Sequence, residues 1–244
     1  MQTIKKPNNI INIKSVQEGD NYKLVNVEGY FEERFNFEDF YDGQKLTKFI
    51  KSCEKQIRKS NEYSKYIGDL RNNKGLNHCA YLGNISGDDA EVEFHHYPFT
   101  LYDIVFLTVN KYILEGKKFN TFTICRAVLN EHSRNRVALV PLCVTAHQLV
   151  HAGRIFINLN MVYGKINEFV NEFYRVLTDE MIEKYNKLVD MTEAGITYSD
   201  EDILKTLEEL KTNPLPPIEN EEDDEELLDE PIPIEDVHIE EIDV

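Results

Sequence analysis

The chain has 244 residues, of which 41% are hydrophobic, and it contains 13 Phe and 13 Tyr, enough apolar material for one fair-sized domain or two small ones. Its formal net charge of −17 at pH 7, taken as a whole, disfavours a nucleic-acid partner. However, 14 of the 44 acidic residues and none of the 27 basic residues fall within 214–244, which leaves 30 acidic and 27 basic residues in 1–213. The segment 64–164 carries 10 basic and 8 acidic residues. Because the acidity is local, the overall charge does not exclude a phosphate-bearing partner.

The cysteines predict a reduced protein. Cys53, Cys79, Cys125 and Cys143 lie far apart in the sequence, and no secretory signal is recognisable. No apolar run reaches the length of about 18 residues that a membrane span needs. These features predict a protein of the reducing cytoplasm, the host cytoplasm if the chain is viral, without disulfides and without a membrane partner. Cys53 and Cys125 lie on apolar helical faces and are expected in the core.

The first hundred residues predict a loose start followed by strands and helices. Residues 1–20 are polar, and 22–37 reads as one or two strands with a turn. Apolar residues at helical spacing predict a helix over Gly43–Lys59, with a further helical turn or two at 67–70. Alternating polar and apolar residues predict a short strand at 91–95.

From residue 100 onward the pattern is mainly helical. A second strand is predicted over 137–140, ended by Pro141, and residues 155–159 alternate between apolar and polar. Apolar spacing and capping signals predict the helices 100–113, 122–129 (capped by Thr121), 145–151 (stopped near Gly153), 166–188 and 199–211.

Two histidine motifs carry the chemistry. Glu93-Phe94-His95-His96 ends the first strand, and adjacent strand residues point to opposite faces, so one of the two histidines can hold a metal while its neighbour is free to take a proton. His147 and His151 lie four residues apart, on one face of the short helix, and can reach the same cation. If strand and helix fold over one ion, three imidazoles bind it and leave positions for water and phosphate. Taken singly, the motifs also fit a strand end with buried, hydrogen-bonded imidazoles and a helix surface pair.

A family resemblance rests on three segments. They are Glu93-Phe94-His95-His96-Tyr97, Val140-Pro141-Leu142-Cys143 and His147-x-x-x-His151-Ala152-Gly153. In this order they resemble the HNH (ββα-metal) endonucleases, including colicin-type DNases, and uncharacterised bacteriophage proteins of HNH type. The resemblance implies a divalent-metal-dependent endonuclease that hydrolyses the phosphodiester bonds of DNA.

The resemblance also implies a role for each residue. His95, His147 and His151 would be ligands to a divalent magnesium, manganese or zinc ion. His96 would be the general base that activates water, and Glu93 a supporting carboxylate beside the catalytic site.

Three features depart from that family. Ala138 stands nine residues before His147, where the family has an Asn that ties down the loop carrying the base. Ala138 also follows His96 by 42 residues, where compact members have a short loop, so the site is expected to enclose an inserted pair of helices. Neither Cys79 nor Cys143 has a second cysteine three residues later, so the zinc-binding Cys-x-x-Cys pairs are missing. A second function therefore stays open: a catalytically decayed HNH scaffold that binds nucleic acid or a protein partner, as a bacteriophage accessory or regulatory protein.

Several further residues have weaker interpretations. Cys79 and Cys143 are expected to be small buried apolar side chains, with a structural zinc shared with His78 as the less favoured alternative. His132 follows a helical run and is expected to be solvated near its end. Four arginines have two interpretations: they contact phosphates around the site, or they are scattered surface charges. They are Arg126, Arg134, Arg136 and Arg154.

The expected fold is α+β, with a ββα-metal (HNH) unit embedded in a mainly helical domain. Its expected ranges are 1–60 for an N-terminal strand and helix region, 61–160 for the HNH-like domain with its helical insertion, 161–213 for C-terminal helices and 214–244 for an acidic disordered tail. The tail cannot bury enough apolar area to offset its ordering entropy. It is expected to solubilise the chain, with mimicry of nucleic-acid charge and docking of a protein partner as alternatives.

Overall fold

The structure is a computed structural model that describes residues 43–83, 86–88, 90–151 and 153–196, together with Lys205. The strands expected within 22–37 and the acidic tail lie outside the described residues, as does the helix expected over 199–211 apart from Lys205.

Two helices open the described part of the chain. The first, α1 (Gly43–Lys59), has the predicted bounds and buries Phe49, Ile50, Cys53 and Ile57, which share one face at helical spacing. The second, α2 (Asn61–Asn72), is a full helix rather than an added turn, because the Ser60 hydroxyl caps it by accepting a hydrogen bond from the Tyr63 amide.

The two strands, β1 (Val92–His96) and β2 (Leu139–Cys143), form an antiparallel two-stranded sheet. The prediction that Pro141 ends the second strand is wrong, since Pro141 lies within β2 opposite Phe94. Both strands of such a sheet are edge strands, where a residue without an N–H is tolerated. The carbonyl of Pro141 is still used, because it accepts a hydrogen bond from the Ala80 amide over 2.8 Å.

The expected helical pair lies between the strands. The helix α3 (Leu101–Leu114) begins with a capping box, in which Thr100 and Asp103 each bond the other's backbone amide. The helix α4 (Thr121–Ser133) is capped by Asn120, whose side-chain oxygen accepts from the Thr123 amide. Thr121 is therefore the first helical residue and not the predicted cap.

The chain leaves β2 directly into α5 (Val144–His151), close to the predicted 145–151. Residues 155–158 form no strand and lead into a 3-10 helix at Leu159–Met161. The helix predicted over 166–188 is two helices, α6 (Ile166–Phe173) and α7 (Asp179–Glu193). The break has a local cause, because the Thr178 hydroxyl accepts from the Met181 amide and caps a new helix.

One hydrophobic core cluster draws buried side chains from all seven of these helices and from β2, and it runs along the chain from Phe49 to Val189. The α+β class is confirmed, since the described residues form a helix-rich fold with one small sheet. The HNH unit and the four expected ranges stay predictions. Over the described residues, no helix has the length and apolarity that crossing a membrane requires.

Candidate metal centre

His95, His147 and His151 come together and are called here the histidine cluster. Nε2 of His147 lies 2.9 Å from Nδ1 of His95 and 3.0 Å from Nε2 of His151, and one ring nitrogen from each of the three residues lies within 4.8 Å of the other two. Nitrogens bound tetrahedrally to one zinc ion at about 2.0–2.1 Å are about 3.3 Å apart. The two distances from His147, 2.9 and 3.0 Å, are therefore close to what a shared ion requires.

The fold explains how these residues meet. His95 lies on β1, and its strand partner in β2 is Val140, four residues before the start of α5. Because β2 runs straight into α5, the first turns of that helix lie beside β1. The spacing of four residues then places His147 and His151 on one helical face, with their ring centroids 4.6 Å apart.

His95 is neutral over a wide pH range. Burial is the main cause, and together with the neighbouring His147, His151, Lys184 and Arg58 it lowers the pKa of His95 to about 3. A neutral imidazole is the form that binds a metal ion. His151 at the other end of the cluster is exposed, so the cluster runs from a partly buried strand residue to the surface.

Glu93 orients the cluster. It lies two residues before His95, hence on the same face of β1, and its Oε2 is 2.7 Å from Nδ1 of His147. A carboxylate in this position accepts from the Nδ1–H, which leaves the lone pair of His147 on Nε2, the atom that faces the other two rings. The expected supporting carboxylate thus contacts a predicted ligand directly.

His96 does not join the cluster. Its side chain is 5% exposed, lies on the other face of β1, and its Nε2 is 3.1 Å from Nε2 of His132. His132 donates from Nδ1 to the carbonyl of Val128 over 2.8 Å, so its Nε2 accepts and the Nε2–H of His96 donates. Burial holds the pKa of His96 well below its ordinary value. The opposite orientation of the two adjacent histidines is as expected, but His96 is not free to take a proton, and its role as general base stays a prediction that requires this pair to open.

The expectation that His132 is solvated is wrong. Its side chain is 1% exposed, and the rings of Tyr63 and Tyr66 lie edge-on to it at 5.6 and 5.4 Å. Burial lowers its pKa to about 4. A sequence signal was available, because Ile124, Val128 and His132 continue one helical face at spacings of four residues. His96 and His132 are called below the buried histidine pair.

All four cysteines are buried, as expected for small apolar side chains. Cys53, Cys79, Cys125 and Cys143 are all buried free thiols. His78 is exposed, and within the described part of the chain the histidine cluster is the one group of three ligand-type residues close enough to share an ion. The shared zinc on these cysteines therefore has no support in the described residues.

Two of the arginines considered as phosphate contacts form ion pairs with glutamate side chains. Arg134 and Arg136 both pair with Glu131, at 3.4 and 3.2 Å. Arg136 also reaches Glu168 and Glu172, at 3.6 and 3.3 Å. Arg136 therefore connects α4 with α6, and a phosphate role for both arginines stays a prediction.

Comparison with known proteins identifies a family. A family model described as Bacteriophage G278-like virion protein matches residues 1–215, which include every residue that the structure describes. Neither the curated proteins nor the solved structures gave a match. The predicted bacteriophage origin is confirmed, and the chain belongs to the family of bacteriophage G278-like virion proteins.

Proposed function

We propose that this virion protein binds one divalent transition-metal ion through His95, His147 and His151 and hydrolyses phosphodiester bonds of DNA at that centre. The observation that carries the proposal is the convergence of three imidazole nitrogens, one from a strand and two from the helix that follows the sheet. The order of two antiparallel strands and a helix is also that of the ββα unit in the HNH enzymes that the histidine motifs resemble.

The donor set favours zinc among the expected ions. Imidazole nitrogens suit zinc and its transition-metal neighbours, whereas magnesium prefers oxygen ligands. The three clustered side chains offer no oxygen, and the nearby carboxylate of Glu93 is engaged with His147. When bound, the ion would stabilise the negative charge that develops on the phosphate oxygens.

The protein's own residues prepare the centre. His95 keeps its lone pair at neutral pH because burial and its neighbours disfavour protonation. Glu93 fixes the tautomer of His147, and the exposure of His151 leaves one side of the cluster open to a polymeric substrate. The backbone beside Ala138, the position of the Asn in the resembled family, is held here by backbone pairing. Leu139 and Tyr163 exchange two hydrogen bonds of 2.8 and 2.7 Å.

A second candidate function is a metal centre without hydrolysis, on a scaffold that binds nucleic acid or a protein partner in the virion. The burial of His96 against His132 favours it, because no imidazole outside the histidine cluster is free beside the proposed ion among the described residues.

The test measures metal content and cleavage together. Elemental analysis of the full chain should give one zinc per chain, and His147→Ala with His151→Ala should lose it. His78→Ala is the matched control, since His78 is an exposed histidine outside the cluster. Plasmid nicking by the loaded protein, lost in the double variant and kept in the control, supports the nuclease. Stoichiometric metal without nicking by zinc, manganese or magnesium supports the second function, and a chain that takes up none of these ions refutes both.

A further inference from the structure

The outward face of α1 concentrates positive charge. When Lys and Arg are counted against Asp and Glu, the helix holds six basic residues and one acidic residue. None of the other six α-helices that the structure describes has a basic excess, since α2 to α5 are balanced and α6 and α7 are acidic. The basic residues of α1, called here the basic face, are Lys45, Lys48, Lys51, Lys55, Arg58 and Lys59.

Helical periodicity turns these side chains away from the core. Residues two positions apart on an α-helix are separated by about 200° around its axis. Lys51 and Lys55 lie two positions before and after Cys53, which is fully buried. The same spacing relates two more lysines to buried residues, Lys48 to Ile50 and Lys59 to Ile57. The basic face is therefore on the surface, with five exposed side chains and a half-buried Lys55.

The basic charges are spread along the helix rather than gathered at one point. Lys48, Lys55 and Lys59 are seven and four residues apart and therefore follow one line along the axis. From Lys45 to Lys59 the face extends over about 21 Å, at about 1.5 Å per residue. One DNA strand carries a phosphate about every 3.4 Å of helix axis, so this length matches about six phosphates. Side chains that bind a small anion converge on it, whereas an extended line of cations suits a polymer of regularly spaced negative charge.

The buried side of α1 argues against a membrane surface as the partner. A helix that lies on a membrane buries an apolar face among the lipids. The apolar face of α1 is already in the core, because Phe49, Ile50, Cys53 and Ile57 are at most 1% exposed. We propose that the basic face of α1 binds the phosphate backbone of double-stranded DNA, without reading the base sequence. The inference rests on the DNA partner of the proposed function, but it requires neither the metal ion nor hydrolysis.

The experiment measures duplex binding by the full chain with EDTA present, so that the DNA is not cut at the metal centre. The fluorescence anisotropy of a short labelled duplex is titrated with protein at salt concentrations between about 50 and 200 mM. The logarithm of the affinity should fall linearly with the logarithm of the salt concentration. Duplexes of different sequence should bind alike, because phosphate contacts carry no sequence information.

A triple variant on one line of the basic face is the direct test. It combines Lys48→Gln, Lys55→Gln and Lys59→Gln, and because glutamine has nearly the helix propensity of lysine, α1 should stay folded. The affinity at about 100 mM salt should fall by at least about 10-fold. The magnitude of the salt slope should fall by about 2–3, because each lost phosphate contact removes about 0.9.

A matched control removes the same charge elsewhere. It combines Lys74→Gln, Lys118→Gln and Lys187→Gln, at three exposed positions outside α1. This variant should keep both the affinity and the salt slope of the wild type, and circular dichroism checks that both triple variants are folded. Equal weakening in the two variants would reduce the effect to net charge and overturn the proposal, as would wild-type affinity in the α1 variant.

Two further measurements identify the partner and separate this inference from the proposed function. Binding to anionic lipid vesicles without binding to the duplex would overturn the proposal in favour of a membrane surface. Plasmid nicking is followed in the same proteins after metal is added. Nicking by the wild type with unchanged duplex affinity in the α1 variant refutes this inference alone, whereas salt-dependent duplex binding without nicking refutes hydrolysis alone.

Discussion

The carboxylate of Glu93 accepts a hydrogen bond from Nδ1 of His147 over 2.7 Å, and this contact directs Nε2 of His147 toward His95 and His151. Strand periodicity puts Glu93 on the same face as His95, and helical periodicity puts His147 on the same face as His151. The packing of this face of β1 against this face of α5 brings the two histidine motifs together into one centre.

Removing that carboxylate should weaken metal binding. Glu93→Ala should lower zinc affinity by about 10–100-fold, because loss of a partner that orients a ligand has effects of this size. Isothermal titration calorimetry with zinc at pH 7.5 measures the affinity. Glu91→Ala, at an exposed position two residues earlier, is the control. Equal affinities of Glu93→Ala and the control would show that the contact does not orient a ligand.

The buried histidine pair should make the metal-free protein sensitive to acid. His132 has a pKa of about 4 in the folded chain, below the value of 6.5 for a free histidine, and burial also holds the pKa of His96 well below that value. The unfolded chain therefore binds protons first. The stability is complete above pH 6.5 and declines as the pH falls toward 4, by up to about 1.4 kcal/mol per pH unit for each such histidine.

Urea unfolding between pH 7.5 and 4.5, with EDTA present, tests this dependence. His132→Gln is the informative variant, because the glutamine oxygen can accept from His96 but cannot titrate. Its stability should vary less steeply with pH than that of the wild type. Identical slopes for the two proteins would contradict the assignment of acid sensitivity to His132.

Breaking the buried pair should affect stability more than metal binding. His132→Leu leaves the Nε2–H of His96 buried without a partner, which costs about 1–3 kcal/mol. Zinc affinity should stay within a few-fold of wild type, because the pair lies on the opposite face of β1 from the histidine cluster. Urea unfolding and zinc titration on the same sample give both quantities, and a large loss of affinity in a stable variant would show that the two faces are coupled.

Local chemistry predicted much of this fold and not its tertiary pairings. The apolar face Phe49, Ile50, Cys53 and Ile57 predicted α1 to its ends, since periodicity is a property of adjacent turns. The division of α6 from α7 was missed, because apolar spacing continues across the break and the cap is a single hydroxyl on Thr178.

The same contrast holds at the site. The spacing within each histidine motif predicted the members of the cluster, because that spacing depends on one strand and one helix. The burial of His96 was not predicted, because it depends on His132, which is 36 residues away on the inserted helix α4. Packing between distant segments decides which of two adjacent histidines meets the cluster and which meets the core.

Ala138 should not accept the Asn of the resembled family. Its side chain is 3% exposed and lines a small apolar space, too small for water, between Tyr97, Ile104 and Phe169. Ala138→Asn would bury an amide without a partner or a water, at a cost of about 1–3 kcal/mol. Ala138→Val adds apolar volume of a similar size and should cost less. Urea unfolding gives the free energy of unfolding of each variant. An asparagine variant as stable as the valine variant would indicate that a partner for the amide exists.

Gly164 should be the least replaceable glycine near the site. It has a φ of +131°, and a Cβ added there would lie 2.4 Å from the carbonyl oxygen of Val137 and 3.0 Å from the Cα of Ala138. Both atoms are backbone and cannot move aside as a side chain would, and they precede the strand residue Leu139 that pairs with Tyr163. Gly164→Ala should therefore lower the free energy of unfolding by well above the roughly 1 kcal/mol that an ordinary unfavourable φ costs.

Gly75→Ala is the matched control, since Gly75 has a φ of +70° with nothing within 4 Å of its added Cβ. Thermal unfolding of both variants should separate the clash from the conformational cost, and equal losses would mean that the backbone at Val137 adjusts freely.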